Sequence, residues 1–322
     1  MAVYTDLGAA AMERLLGEYD VGALRSAKGI AEGVSNSNWL IETAQGRFIL
    51  TMYERRIELG DLPYFLDLLD HLSAHDCPVP RTIHTKRGDS FVMVDGKAAA
   101  LIEYLPGISP DRPSAEQAHN VGGALARMHL AGRDFEKTRP NTLGPQSWID
   151  MLEECGVGGL SEIDPALPKM LTVARQTAER WPPDLPQSVI HSDLFPDNVL
   201  MLGERVSGMI DFYFACNDAM AYDLAVTHAA WSFDASDTAF DPAIGGALVE
   251  GYEAHRPLAN AERKALPLLA QGACLRFIAS RALDWIETPP GALVMRKDPM
   301  QFVRRLKFYA ERGEKAFTPS PI

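Results

Sequence analysis

The 322-residue sequence is poor in the features that mark secreted, membrane-spanning or nucleic-acid-binding proteins. Its four cysteines, Cys77, Cys155, Cys216 and Cys274, are widely scattered. They show neither metal-ligand spacing nor a disulfide framework, so buried thiols in a reducing cytoplasm are expected. No stretch approaches the roughly 18 uninterrupted apolar residues that a membrane span requires. The opening "MAVYTDLGAAAMERLL" carries an early Asp and Glu and no basic region, and does not read as a secretory signal. Basic residues are in deficit: 31 Lys and Arg against 43 Asp and Glu, for a net charge of −12. Phosphate neutralisation needs the opposite balance, so no nucleic-acid partner is expected. The acidity suits a cationic substrate weakly, and solubility alone accounts for it as well. There is no internal repeat and no low-complexity tract.

With 47% apolar and 23% charged residues, the composition is that of an ordinary globular protein, long enough for two domains or one two-lobed unit. The first hundred residues are strand-rich. "SNWLIETA" (37–44) and "RFILTMYE" (47–54) are β-propense runs joined by Gln45-Gly46, a hairpin signal, and "LRSAKGI" reads as the preceding strand. A second hairpin turns at Asp95-Gly96, between "SFVMV" and "KAAALIEYL". Between the hairpins, Leu62, Phe65, Leu66, Leu69 and Leu72 recur at helical spacing, with Pro63 in the first turn. "YLPGISPDRPS" (104–114) reads as a linker. Beyond it, Ser114 and Gln117 form a capping-box pattern. Further helices are expected near 147–155, 165–181, 223–232, 242–255, 261–286 and 298–315, with short strands at Val189-Ile190 and 206–210. The class is therefore α+β: a small antiparallel β-rich N-terminal lobe (1–104), a hinge, and a larger α-helical C-terminal lobe (105–322).

The chemistry-bearing segment is "SVIHSDLFPDN", followed by "GMIDFYFACND". Asp193 and Asn198 lie on a loop between apolar runs, and Asp211 ends the next apolar strand. A short hairpin would return that strand end to the loop. Two acids and an amide converging in this way suit Mg²⁺-dependent phosphoryl transfer. Mg²⁺ prefers hard oxygen ligands, one or two carboxylates plus substrate phosphates, and the other acid can orient or deprotonate a hydroxyl.

"HSDLFPDN" matches the pattern H-x-D-x4-N, and "IDF" the metal-binding segment that follows it in eukaryotic-like kinases. With "AYDLAV" at 221–226, the segment resembles the aminoglycoside phosphotransferase and choline kinase superfamily of small-molecule kinases. "YDVGAL", "KGIAEGVSNSNWLIET", "GRFILTMYERR", "DLPYFLDLLDHL" and "CPVP" extend the resemblance, over most of the chain, to the bacterial homoserine kinases of that superfamily. The resemblance implies a protein kinase-like two-lobed fold, ATP and Mg²⁺ as cofactors, and L-homoserine as substrate. It implies Asp193 as the catalytic acid, with His191 and Asp223 supporting the loop. Asn198 and Asp211 would hold the metal. Glu103, Tyr104 and Leu105 would meet adenine, and Gly33, Ser35 and Ser37 the phosphates.

One departure stands out. Such kinases usually place a Lys on the third strand against the phosphates, and here the aligned residue is Thr51. Lys28, on a neighbouring strand, is the leading replacement, ahead of Arg55 and Arg56. Phe212-Tyr213 stands where protein kinases have Phe-Gly, which speaks against an activation switch of their kind.

Plainer readings compete. Asp193 alone would be a cap or turn acid, and Asp223 could cap a helix as well as support the loop. Asp218 could be a turn residue or a third acid. A homoserine carboxylate needs a cation, and Arg276 and Arg281 on "CLRFIASRALDW" are the candidates, although Arg281 and Asp284 could equally form an intrahelical pair. Tyr213, Trp231 and Trp285 could instead cage choline. An aminoglycoside acceptor, or a nucleotide-binding pseudokinase, also remains open.

Overall fold

The computed structural model describes residues 7–30, 36–54, 58–234, 239–288 and 296–318. The chain divides into two compact units: 1–107 with 207–213, and 108–206 with 214–322. The expected halves, 1–104 and 105–322, take one cut of the chain. The compact units take three, because a seven-residue segment returns to the first unit.

The first unit opens with helix α1 (Ala9–Leu16) and a six-stranded antiparallel sheet. Its members are β1 (Leu24–Ile30), β2 (Asn36–Thr43) and β3 (Arg47–Tyr53), then helix α2 (Leu62–Ala74), then β4 (Thr82–Ile83), β5 (Val92–Val94) and β6 (Lys97–Glu103). The order is β1-β2-β3-β6-β4, with β5 paired to β6. Both expected hairpins form. At the second, Asp95 and Gly96 take φ of 50° and 80°, the left-handed pair that a two-residue hairpin turn requires. Successive side chains alternate between sheet faces. Leu50, Met52, Ala99 and Leu101 bury against Met12, Leu15 and Leu16 of α1, which the sequence reading left unassigned. Tyr53, Ala98 and Ala100 bury against Leu62 and Leu66 of α2, with Tyr213 packed on that cluster. The sheet is covered on both faces, which explains the unbroken run "AAALI". Each large apolar side chain so buried contributes about 1.5–3 kcal/mol.

The second unit begins with α3 (Ala115–Ala131), and the Ser114–Gln117 capping box is present. There follow α4 (Pro145–Ile163), bent at Gly156, α5 (Lys169–Glu179) and β7 (Gln187–Ile190). β8 (Val199–Leu202) is followed by β9 (Arg205–Met209), whose last three residues belong to the segment that returns to the first unit, and β10 (Cys216–Ala219) pairs antiparallel with β7. The chain closes with α6 (Met220–Trp231), α7 (Pro242–Glu253), α8 (Asn260–Glu287) and α9 (Met300–Arg312). All twelve residues of α6 are buried, so it has no exposed face and lies at the centre of this unit. α3 and α7 approach so closely that a Cβ on Gly122 would sit 2.0 Å from the Leu248 carbonyl oxygen. One on Gly251 would sit 1.9 Å from that of His119. Only glycine permits that backbone contact.

Candidate active site

β7 ends at Ile190, and the next two residues are held from two sides. Asp223, near the start of α6, accepts the main-chain N–H of His191 on one oxygen and that of Ser192 on the other, each at 2.7 Å. From α8, the Arg276 guanidinium donates to the Ser192 carbonyl, and to its hydroxyl at 3.1 Å. Between these grips Ser192 takes φ of +69°, unusual for a residue with a side chain. Such a conformation costs on the order of 1–3 kcal/mol and persists where the surroundings over-determine it.

Asp223 is itself the end of a buried chain. His129, at the end of α3, meets it through Nε2 at 3.0 Å and meets the Tyr252 hydroxyl of α7 through Nδ1 at 2.7 Å. Arg256 donates to that hydroxyl at 3.3 Å and pairs with buried Glu262 at 2.7 Å. Burial pushes the His129 imidazole below its ordinary value against the pull of Asp223, so it is neutral at pH 7. The neutral ring then donates from Nε2 to Asp223 and accepts from Tyr252 at Nδ1. Burial alone would raise the Asp223 carboxyl. The hydrogen bonds from His129 and from the His191 main-chain N–H hold it below the usual carboxylate range. The Gly122 and Gly251 contact brings α3 and α7 within reach of this chain.

Asp193 follows Ser192. Its N–H donates to His191 Nδ1 at 3.2 Å, and one carboxylate oxygen lies 3.4 Å from Arg276 Nη2. Burial pushes its carboxyl up, against the opposing charges of Arg276, His191 and Lys297, and the balance remains upward. Asn198 donates its amide N–H to the Asp193 carbonyl at 2.8 Å, which leaves Oδ1 as the end that suits a cation. Trp231 Nε1 holds the Leu194 carbonyl at 2.9 Å, and Phe195 packs edge-on against Phe277 at 5.0 Å. His191, Asp193, Asn198, Asp223 and Arg276 therefore form one constellation.

The first unit holds the remaining candidates. Asp211 is exposed, with φ of +66°. Two residues on, Tyr213 reaches the Tyr53 hydroxyl at 3.3 Å and stacks edge-on with Phe65 at 5.9 Å. Thr51 is buried, and its hydroxyl donates to Asn38 Oδ1 at 2.8 Å. The pairings Asn38↔Thr51 and Lys28↔Leu40 put Lys28 on the same face as Thr51 and exposed, but two strands away, with β2 between them, and not on the neighbouring strand expected. Glu103 ends β6 beside Arg81, 3.8 Å from its Nε, and the chain leaves the sheet through Tyr104 and Leu105. Gly33, Ser35, Arg55 and Arg56 lie outside the described residues.

Two expectations need correction. The Ser37 hydroxyl does not face a phosphate. It is fully buried and donates to Glu54 at 2.7 Å, on the carboxylate that Lys97 also pairs. Arg276, 2% exposed, is not an open clamp for an acceptor, because its guanidinium is spent on Ser192 and Asp193 and stacks over Phe214 and Phe277. Arg281 reaches the Asp298 carbonyl at 3.0 Å and Gln301 at 2.6 Å. Asp218 is bound to Asn141 at 2.7 Å and to the N–H of Ala219, in keeping with the turn reading.

The sequence reading missed His129, Tyr252, Arg256 and Glu262. His129 lies 94 residues from its Asp223 partner, and its one local signal is a polar residue among apolar neighbours at the end of a well-capped helix.

A family model described as the phosphotransferase enzyme family matches residues 26–258, and the chain belongs to that family. The chain is 47% identical over 314 residues to homoserine kinase of Nitrobacter winogradskyi, covering 97% of this chain and 96% of that one. Among solved structures it is similar to a spectinomycin phosphotransferase, with a TM-score of 0.71, 14% identity, and 96% and 95% of the two chains covered. It is also similar to choline kinase from Cryptosporidium parvum Iowa II, with a TM-score of 0.61, 13% identity, and 90% and 89% covered. The last two are likenesses of fold, and they support the expected kinase-like α+β class.

Proposed function

We propose that the protein is an ATP-dependent homoserine kinase, which phosphorylates the side-chain hydroxyl of L-homoserine to give O-phospho-L-homoserine for threonine biosynthesis. The observation that carries this reading is the nearly end-to-end likeness, at 47% identity, to a homoserine kinase. The constellation around Asp193 supports the phosphoryl-transfer half independently.

In this reading the acceptor oxygen attacks the γ-phosphorus of ATP, and an O–P bond forms as the bond to the β,γ-bridging oxygen breaks. The hydroxyl proton passes to the Asp193 carboxylate, and ADP departs. A carboxyl pushed up by burial is a better proton acceptor than an ordinary one. His191 and Asp223 hold the loop that presents it. Arg276 fixes the carboxylate and keeps it ionised. Asn198 Oδ1 and the Asp211 carboxylate are the proposed protein ligands of Mg²⁺, on the chemistry of the donors and the motif spacing. No group of three or more His, Cys, Asp or Glu side chains is placed to hold a metal among the described residues. That fits an ion held by one carboxylate, one amide and substrate phosphates. When bound, Mg²⁺ neutralises charge on those phosphates.

Residues 1–104 form the nucleotide-binding part in this proposal, with Lys28 toward the phosphates, Glu103, Tyr104 and Leu105 toward adenine, and the Gly33 and Ser35 loop over the phosphates. Residues 105–322 form the catalytic and acceptor part. The four free cysteines are buried, and no helix among the described residues is long and apolar enough to cross a membrane. Both are in keeping with the cytoplasm we propose as its place.

Coupled ADP release at fixed Mg-ATP, with L-homoserine, choline and kanamycin in turn, tests the reading. Turnover with L-homoserine is expected. Turnover confined to choline or kanamycin overturns the acceptor. ATP binding with no turnover on any of the three favours a pseudokinase.

A further inference from the structure

The two grips on Ser192 meet again on a single helix. Arg276 of α8 holds its carbonyl directly. Glu262, in the first turn of the same helix and about 21 Å down its axis, begins the other route. Its Oε1 accepts from Arg256 at 2.7 Å, and its Oε2 accepts the Ala259 N–H at 2.9 Å, which fixes the start of α8. From Arg256 the route runs through the Tyr252 hydroxyl and His129 to Asp223, and so to the N–H groups of His191 and Ser192. These hydrogen bonds form a closed circuit that starts and ends on α8, with the strained Ser192 at its far side and Asp193 next in the chain. The main chain of His129 is tied in as well, since the Ser188 hydroxyl of β7 donates to its carbonyl at 2.7 Å.

The circuit runs in one direction only. A guanidinium has donors and no acceptor, so the Tyr252 oxygen accepts from Arg256 and its proton goes to His129 Nδ1. With Nδ1 accepting, the ring proton sits on Nε2 and is donated to Asp223. The other tautomer would set a bare Nε2 lone pair against the carboxylate and leave the Tyr252 proton with no acceptor among the described residues. Tyr252, His129 and Asp223 are fully buried, and Arg256 and Glu262 nearly so, so solvent does not compete for these bonds.

We infer that Tyr252 is a positioning residue for Asp193: by fixing the tautomer of His129 it keeps Asp223 on both main-chain N–H groups, and so keeps the Asp193 carboxylate in its working place. The inference rests on the reading of Asp193 as the base. Tyr252 touches neither acceptor nor nucleotide in this role and acts through the backbone of the loop.

Tyr252→Phe removes one oxygen and keeps the ring. Steady-state ADP release with L-homoserine is measured on wild type, on this variant and on Leu160→Ala, a buried apolar change in α4 outside the circuit. The ring nitrogens of His129 are followed by NMR with isotope-labelled histidine, assigned with His129→Gln. In Tyr252→Phe, kcat should fall about tenfold, the loss of one hydrogen bond, with the KM for ATP and for L-homoserine within about twofold of wild type. The His129 Nδ1 signal should move toward that of a ring nitrogen with no donor. Leu160→Ala should lower the melting temperature at least as far and leave kcat near wild type. An unchanged kcat in Tyr252→Phe overturns the positioning role, and so does an equal fall in Leu160→Ala. His129 signals that are the same with and without the hydroxyl overturn the circuit. The double variant Arg256→Gln, Glu262→Gln leaves no buried charge unpaired but lets the hydroxyl turn either way. It should lower kcat about threefold, and, if Tyr252→Phe does not fold, an unchanged kcat here overturns the inference. If wild type releases ADP no faster with L-homoserine than without an acceptor, the functional reading fails and the positioning role with it, while the His129 signals still report whether the circuit exists.

Discussion

The two units handle charge in opposite ways. In the helical unit, the loop bearing Asp193 is gripped by buried charged groups: Arg276 on one side, and on the other the run from Asp223 through His129 and Tyr252 to Arg256 and Glu262. In the sheet unit, the centre of the face carrying Thr51, Asn38 and Tyr53 is neutral, and its charges lie at exposed margins, Lys28 on β1 and the Glu42–Arg47 pair at the other end of β2 and β3. A base must be held within a fraction of an ångström of its target, and such placement calls for an over-determined backbone. The phosphate chain proposed to bind there would bring its own charge and counter-ion, which a face with a neutral, hydrogen-bonding centre suits.

The largest effect that would sharpen this contrast is at the base. Asp193→Asn should lower kcat by about 10³-fold or more while the KM for ATP changes little, since the nucleotide side is untouched. A near-normal rate in steady-state assays would remove Asp193 from its role. Arg276→Gln should come next, with kcat down by about 10²-fold from a misplaced carboxylate. Its pH profile carries the more telling sign. A base works when deprotonated, so the acid limb of kcat/KM should fall above the ordinary carboxylate range in wild type. Loss of the Arg276 charge should move it to still higher pH. A limb that stays in place would break the link between the two groups.

On the sheet side, Lys28→Ala should raise the KM for ATP by about tenfold with a smaller change in kcat. No change would return the role to Arg55 or Arg56.

The smallest effect sets the units against each other in stability. Burial lowers the pKa of His228, in the helical unit, to about 3, and burial also lowers that of His129. Below the unfolded value of about 6.5, the unfolded chain binds more protons at these sites, so the helical unit loses stability as pH falls from about 6.5. His84, in the sheet unit, has its pKa raised by the Asp70 hydrogen bond at 2.6 Å. Its contribution is complete below about 6.5 and lost as pH rises through the folded value. Amide hydrogen exchange at pH 7.5 and pH 5.5, corrected for intrinsic rates, should therefore show helical-unit protection falling relative to that of the sheet unit. Parallel changes would contradict the contrast.

Much of the fold was legible in the sequence, because period-two runs between turn residues and period-3.6 runs between caps are local signals. Both hairpins, α2 and five of the six further helices appear at or within a few residues of their expected places, while α4 continues past its bend at Gly156, eight residues beyond its expected end. α1 was passed over because "MAVYTDLGAAAMERLL" was weighed as a targeting segment and not for its periodicity. β10 is a four-residue strand, "CNDA", with no alternation to reveal it. The H-x-D-x4-N loop was legible because its residues lie close together in the chain. Its supports were not, because His129, Tyr252 and Glu262 belong to three helices and are brought together only by packing through Gly122 and Gly251. Arg276 was noticed and misassigned: an arginine on a helix near a site has the same spelling whether it grips a ligand or a loop. Ser37 was misassigned through register, since its neighbours Asn36 and Asn38 share the face with Thr51 and it does not.

The return of residues 207–213 to the first unit bears on how the protein is made. Synthesis proceeds from the N-terminus, and the sheet is spelled out by residue 107, yet its packing is incomplete until residue 213 has left the ribosome. Until then Tyr53 and Phe65 lack the Tyr213 ring that packs against both, and a whole stretch of the helical unit has emerged in between. Asp211 travels on that late segment. A nascent chain stalled before it would carry a sheet with an open apolar face and would lack the proposed metal ligand Asp211.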